Sequence, residues 1–262
     1  MREFRERGRS IRFWAAQEKK LADTPLKPQL ELLSAKGSAS KLWELAGDMP
    51  DGKKLTALLE IPADWDGTHA LITPTISGGY NEIVKLASEG KWTGEAHTLT
   101  LTFICPGDAT YTRWDSATDN NLPENVQQIL RTVDYLKSRP DEKPGSIVSF
   151  GASRSGPPVL ITAALRPADI AGVKVHVPTS CGISWKHKPY RGRGCPSGYD
   201  FTNPAEVEKF TAMSAYVDPV NFADDRLPDR VGIRNLRLWP FATGGDRSCL
   251  CAHQIKMEKD QP

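Results

Sequence analysis

From residue 55 onward, short apolar runs bounded by Gly, Pro or Asp alternate with longer segments whose apolar residues recur every three to four positions. That alternation restricts the fold sharply. Parallel neighbouring strands need crossover connections, and crossover helices cover both faces of the sheet they join, so the pattern implies a mostly parallel sheet between helical layers. The strand candidates are Leu55 to Ile61, Ala70 to Ile76, Thr98 to Ile104, Ser146 to Phe150 and Val173 to Val177. Helix candidates lie between and after them, at Tyr80 to Ser88, Pro123 to Ser138, a segment after Ser153 running to Leu165, and Pro204 to Tyr216. The second is the clearest, because Val126, Ile129, Leu130, Val133 and Leu136 recur at helical spacing and Pro123 stands near the first turn.

Residues 1–50 read as a separate, mostly helical segment, with Ile11, Phe13 and Trp14, then Leu30, Leu32 and Leu33, then Leu42, Trp43 and Leu45, broken by Pro25, Pro28 and Gly37. Residues 51–231 form the α/β core in this reading. Residues 232–262 read as an irregular tail, since Arg234, Arg237, Leu238, Trp239 and Pro240 do not have the composition of a helix-covered parallel strand.

Charge and cysteine content exclude several classes. Over 262 residues, 34 Lys+Arg balance 32 Asp+Glu for a net charge of +2, which gives no concentrated basic surface for nucleic acid. The basic start (Arg2, Arg5, Arg7, Arg9, Arg12, Lys19, Lys20) is interleaved with Glu3, Glu6 and Glu18, as on a solvated helix. No run of eighteen apolar residues is present to span a bilayer, and no apolar stretch follows the basic start as a secretory signal requires. A cytoplasmic protein without nucleic-acid or membrane partners is therefore expected. Five scattered cysteines do not make a disulfide framework, and the lone Cys249-x-Cys251 pair lacks the second half of a zinc site, so no metal is expected.

In a parallel sheet the chemistry gathers at the carboxyl ends of the strands. One such end carries a motif. The run Gly151-Ala152-Ser153-Arg154-Ser155-Gly156 follows a strand candidate and opens a helix, with small residues two before and two after a serine, as in the nucleophile elbow of serine hydrolases. The turn is so tight that side chains at 151 and 155 are expected to clash, and Ser155 departs from the Gly-x-Ser-x-Gly form by one hydroxymethyl group. The elbow would aim the Arg154 backbone N–H at a developing oxyanion. Two other readings compete: a dinucleotide-binding turn of short-chain dehydrogenase type, disfavoured by Pro157 and Pro158 and by the absence of any Tyr-x-x-x-Lys, and a purely structural Gly/Ser-rich turn.

Several segments in order shift that balance. Arg131 to Pro140 before the elbow, Ala163 to Pro167 after it, His176 to Ser180, and the run Tyr216-Val-Asp218-Pro-Val-Asn221-Phe222-Ala223 together resemble the acetyl xylan esterase and cephalosporin C deacetylase family over roughly residues 55–230. The resemblance implies an α/β-hydrolase-type, mostly parallel sheet with helices on both faces, incomplete at the C-terminal end. It further implies a serine carboxylic-ester hydrolase without a cofactor, removing acetyl groups from a carbohydrate or small ester through a Ser153 acyl-enzyme.

Ser153 matches the nucleophile and Arg154 one oxyanion donor, although the family usually has Gln there. The second donor should come from the loop after Ala70 to Ile76. There Ser77-Gly78-Gly79-Tyr80 keeps the glycines of the family's His-Gly-Tyr-Gly turn without its histidine, making Gly79 and Tyr80 the candidates. Cys105-Pro106-Gly107-Asp108 replaces the family's Asp-x-Arg-Gly-x-Gly turn. The tail departs further: Gly244-Gly245-Asp246 echoes the acid motif and His253 follows seven residues on, so Asp246 and His253 are the candidate acid and base. His187 is a second candidate base, whereas His69, His97 and His176 have places in or before strands. The alternative is a hydrolase-fold protein without a complete triad and without turnover.

Overall fold

A computed structural model of the chain describes residues 2–35, 40–75, 77–92, 97–104, 121–176, 178, 199–200, 202–222 and 231–234. Helix α1 spans Arg2–Asp23 and is followed by strands β1 (Gln29–Ser34), β2 (Ser40–Asp48), β3 (Lys54–Pro62) and β4 (Ala70–Thr75). Then come α2 (Ser77–Ser88), β5 (Leu99–Ile104), α3 (Leu122–Ser138), β6 (Ile147–Ala152), a 3-10 turn at Ser153–Ser155, α4 (Gly156–Leu165), β7 (Gly172–His176), α5 (Pro204–Ser214) and β8 (Val231–Arg234).

The eight strands form one sheet in the order β1-β2-β3-β5-β4-β6-β7-β8. β1, β2, β3 and β5 are joined antiparallel, and from β5 across β4, β6 and β7 to β8 every pairing is parallel. Two sequence expectations are corrected here. Among the described residues of 1–50 the α-helix is confined to α1, because Gln29–Ser34 and Ser40–Asp48 pair as a ribbon that continues onto β3 through nine register pairs, Ser40↔Pro62 to Asp48↔Lys54. The start of the supposed irregular tail is a strand: Val231, Gly232, Ile233 and Arg234 pair in parallel with Val173 to His176.

The packing explains why the central strands read as nearly continuous apolar runs. Leu58 of β3 packs with Leu42, Tyr80 and Ala87 under α2, while its neighbours Ala57 and Leu59 join the main core under α1, α3 and α4. Both faces are therefore apolar. α3 contributes Val126, Ile129, Leu130, Val133 and Leu136, all without exposed surface, in the spacing that the sequence predicts. Each such side chain contributes about 1.5–3 kcal/mol on burial.

The N-terminal helix is integral to that core. Trp14 is fully buried, its Nε1 donates to the Tyr216 carbonyl at 2.8 Å, and Phe13 lies 5.2 Å from the Tyr216 ring. Arg166 Nε at the end of α4 donates to Glu18 at 2.6 Å. A second tie comes from Arg131 of α3, which donates to the main-chain carbonyls of Thr24 and Asp48 and so holds the α1–β1 connection against the end of β2. Among the described residues no helix is long and apolar enough to cross a membrane.

Candidate active site

The connections out of β4 and β6 diverge. β4 leads through α2 to β5 on one side of it, and β6 leads through α4 to β7 on the other. α2 packs on the Leu42–Leu58 face and α4 joins the opposite layer. Such a divergence leaves a crevice at the carboxyl edge of the sheet, where ligands bind in open α/β folds. In register, Ile72 pairs with Ser149, and three residues beyond each the strands end at Thr75 and Ala152. The segments beginning at Ser77 and at Ser153 thus leave the same edge from adjacent strands.

Ser153 occupies the position that the sequence predicts, at the junction of β6 with the 3-10 turn that opens α4. Its φ is +52°, a left-handed conformation that costs a non-glycine residue roughly 1–3 kcal/mol and persists only where surrounding structure enforces it. Ser153 is exposed, whereas Ser155 is buried.

The enforcement comes from both sides of the turn. A Cβ on Gly151 would stand 2.5 Å from the Ser155 carbonyl oxygen and 2.8 Å from its carbon, so only glycine allows the chain to fold back there. A clash at 155 is not found. The Ser155 side chain is accommodated, its Oγ accepting the Ala152 N–H at 2.8 Å and donating to the Ala152 carbonyl at 2.9 Å. The second close approach falls one residue later, at Gly156, where a Cβ would come within 2.7 Å of the Pro178 side chain. Pro157 and Pro158 lie in the first turn of α4, where a missing N–H costs little.

Arg154 is half-buried in the 3-10 turn. Gly79 and Tyr80 lie in the first turn of α2 instead of a loop; with Ser77 as the first helical residue, the Gly79 N–H is the last without an intrahelical acceptor, whereas the Tyr80 N–H is the first placed to bond within the helix. Gly79 is pressed against β4, with Thr75 Oγ1 standing 2.5 Å from where its Cβ would be. The Tyr80 phenol is turned the other way, donating to Glu44 Oε2 at 3.1 Å. Burial and the adjacent Glu44 carboxylate hold that phenol far above its ordinary pKa, so it stays protonated.

Of the histidines, His69 precedes β4, His97 precedes β5 with its Nδ1 2.8 Å from Asp64, and His176 ends β7. Asp246, His253 and His187 lie outside the described residues, as do Cys105 to Asp108 and all five cysteines. Among the described residues no group of three or more His, Cys, Asp or Glu side chains is placed to hold a metal ion. The sequence reading missed the Ser155 hydroxyl as a bonded member of the turn. Its spacing, a serine three residues after the last strand residue, is the signal that could have revealed it.

No protein-family model matches the chain, and no curated protein matches it in sequence. Solved structures do resemble it. Acetyl xylan esterase 1 from Thermoanaerobacterium sp. JW/SL YS485 superposes with a TM-score of 0.60 at 16% identity over 86% of this chain and 77% of that one. An acetyl xylan esterase from Paenibacillus sp. R4 gives 0.62 at 19% identity over 84% and 77%. Together with the sheet order and the elbow, these likenesses establish the α/β-hydrolase fold.

Proposed function

We propose that the chain is a serine ester hydrolase in which Ser153 is the nucleophile. The observation that carries this reading is the exposed Ser153 hydroxyl on a left-handed strand-to-helix turn, at the edge where the β4 and β6 connections diverge. Left-handed backbone at non-glycine residues is concentrated at functional sites without being confined to them, as Lys27 and His97 show, and the strand-to-helix placement is what sets Ser153 apart.

The chemistry follows from the placement. Ser153 Oγ adds to an ester carbonyl while its proton passes to a base, and the oxyanion accepts hydrogen bonds from the N–H of Arg154 and of Gly79 or Tyr80. Collapse expels the alcohol, which takes that proton, and leaves an acyl-Ser153 ester. Water then adds to the ester, releasing the carboxylic acid and regenerating the serine. His253 is assigned as the base and Asp246 as the acid that orients it. An acetyl ester of a carbohydrate or small alcohol is the proposed substrate, supported by the neighbours described as acetyl xylan esterases. No metal or organic cofactor enters these steps.

Intact mass after incubation with a fluorophosphonate tests the assignment, because phosphonylation needs an activated serine. A single adduct mapped to Ser153, and p-nitrophenyl acetate turnover that drops at least about 10³-fold in Ser153→Ala, is the expected result. A folded wild-type chain that takes no adduct at Ser153 overturns it. Loss of turnover in His253→Ala and Asp246→Asn with the adduct rate reduced in parallel completes the triad.

A further inference from the structure

We propose that Ser155 is a positioning residue for the Ser153 nucleophile, its buried hydroxyl closing the elbow by bonding both main-chain groups of Ala152. The inference rests on the ester hydrolase reading of the same turn and adds to it a residue that the Gly-x-Ser-x-Gly form does not contain.

Ala152 is the last residue of β6, and its register partner His176 is the last of β7, so the sheet ladder ends there. The next residue is forced to φ +52°. Ser155 Oγ accepts from Ala152 N at 2.8 Å and donates to Ala152 O at 2.9 Å, and Ser155 is only 6% exposed. The ring so formed runs from Ala152 through Ser153 and Arg154 back to Ser155. It encloses both the nucleophile and one proposed oxyanion donor.

The steric restraints at Gly151 and Gly156 differ in kind. They prevent the turn from closing further, but contacts of that sort do not set the direction of a peptide plane. A hydroxyl that both accepts from and donates to one residue does, since each bond weakens steeply away from its preferred angle. Loss of the hydroxyl therefore lets the Ala152–Ser153 peptide rock. That moves Ser153 Oγ relative to the Arg154 N–H without removing any group that touches substrate. Displacements on that scale cost reaction rate in preference to binding.

The test uses the full chain with Ser155→Ala, Ser155→Gly and Ser155→Thr, and two independent readouts. In the first, fluorophosphonate inactivation is resolved into a maximal rate and a half-saturating concentration. The expected result is a maximal rate about tenfold lower in the Ala and Gly variants, the scale of one lost hydrogen bond, with half-saturation unchanged and the rate restored by Thr. In the second, amide hydrogen exchange requires no reactivity at all. The Ala152 amide should exchange about tenfold faster in the Ala and Gly variants, while amides of Ile147 to Ser149 keep their protection.

Unchanged exchange at Ala152 overturns the proposal. So does faster exchange with an unchanged maximal rate, which would make Ser155 a strand cap only. A wild-type chain that takes no adduct while exchange responds marks failure of the hydrolase reading, and the positioning role falls with it. Glycine is the ordinary residue at this place in such turns, so the Gly variant guards against loss of folding in the Ala variant.

Discussion

Gly151 and Ser155 approach so closely that a methyl group on the former would lie 2.5 Å from the carbonyl oxygen of the latter. The obstacle is backbone, which cannot swing away as a side chain would. Gly151→Ala is therefore expected to destabilise the fold by about 1–3 kcal/mol through overpacking and to abolish fluorophosphonate labelling at Ser153 even where the variant remains folded. Urea denaturation together with intact mass checks both. Labelling at the wild-type rate would show that the turn opens freely.

The burial of Trp14 predicts a graded response. Trp14→Phe keeps most of the ring but loses the Nε1 bond to the Tyr216 carbonyl, for about 1 kcal/mol. Trp14→Ala empties a fully buried site in contact range of Phe13 and Phe222, for about 3–5 kcal/mol. Equilibrium unfolding of the two variants measures the difference. Equal, small losses would mean that α1 is not docked as described.

Arg131 is expected to behave as an irreplaceable cation. Its side chain is 4% exposed, its Nε donates to the Asp48 carbonyl at 3.2 Å, and its Nη1 lies 3.6 Å from Asp134. Arg131→Met leaves the carbonyls of Thr24 and Asp48 and the Asp134 carboxylate without this partner, a loss of about 3–5 kcal/mol in urea unfolding. Arg131→Lys should recover little of it, because one ammonium cannot reproduce a planar fork aimed at two carbonyls. Full recovery by Lys would refute the geometric argument.

Asp48 supplies the pH dependence. Its carboxylate bonds Lys54 and lies 3.6 Å from Lys27 Nζ, and these cations hold its pKa below the ordinary 3.8. A carboxylate with a depressed folded-state pKa stabilises the fold above its unfolded value and loses that contribution as pH falls through the depressed one. Asp48→Asn should thus be less stable than wild type at neutral pH, with the two curves converging below 3.8. Thermal unfolding across that range, repeated at high salt to screen the exposed lysines, checks the sign.

The centre of the sheet was legible because both of its faces are buried, which forces apolar runs at β3 to β7, the antiparallel β3 included, and leaves turns of Gly, Pro and Asp between them. β1 and β2 were not. Their Glu, Lys, Leu and Ala content suits a helix, and in β1 Leu30 and Leu32 remain 43% and 47% exposed, so no inward-outward alternation marks that strand. Pairing with the strong β3 strand decided the outcome there. At the elbow the sequence located Ser153 and Gly151, whose demands are steric and local. It misjudged Ser155, because whether a side chain clashes or bonds depends on a rotamer that spacing does not encode. It also placed most of β8 outside the sheet, since a strand of four residues, Val231–Arg234, is too short to carry a periodic signal of its own.

The bond between Trp14 and Tyr216 joins residues 202 positions apart. On a ribosome adding about 5–20 residues per second, the indole waits roughly 10–40 s before its acceptor is even made. Throughout that interval α1 can pack against β2, β3 and α3, which are made earlier, but its indole N–H is without its acceptor. Docking of the N-terminal helix therefore begins with the middle of the chain and is completed only after synthesis has passed residue 216, so its last tie is also the latest to form.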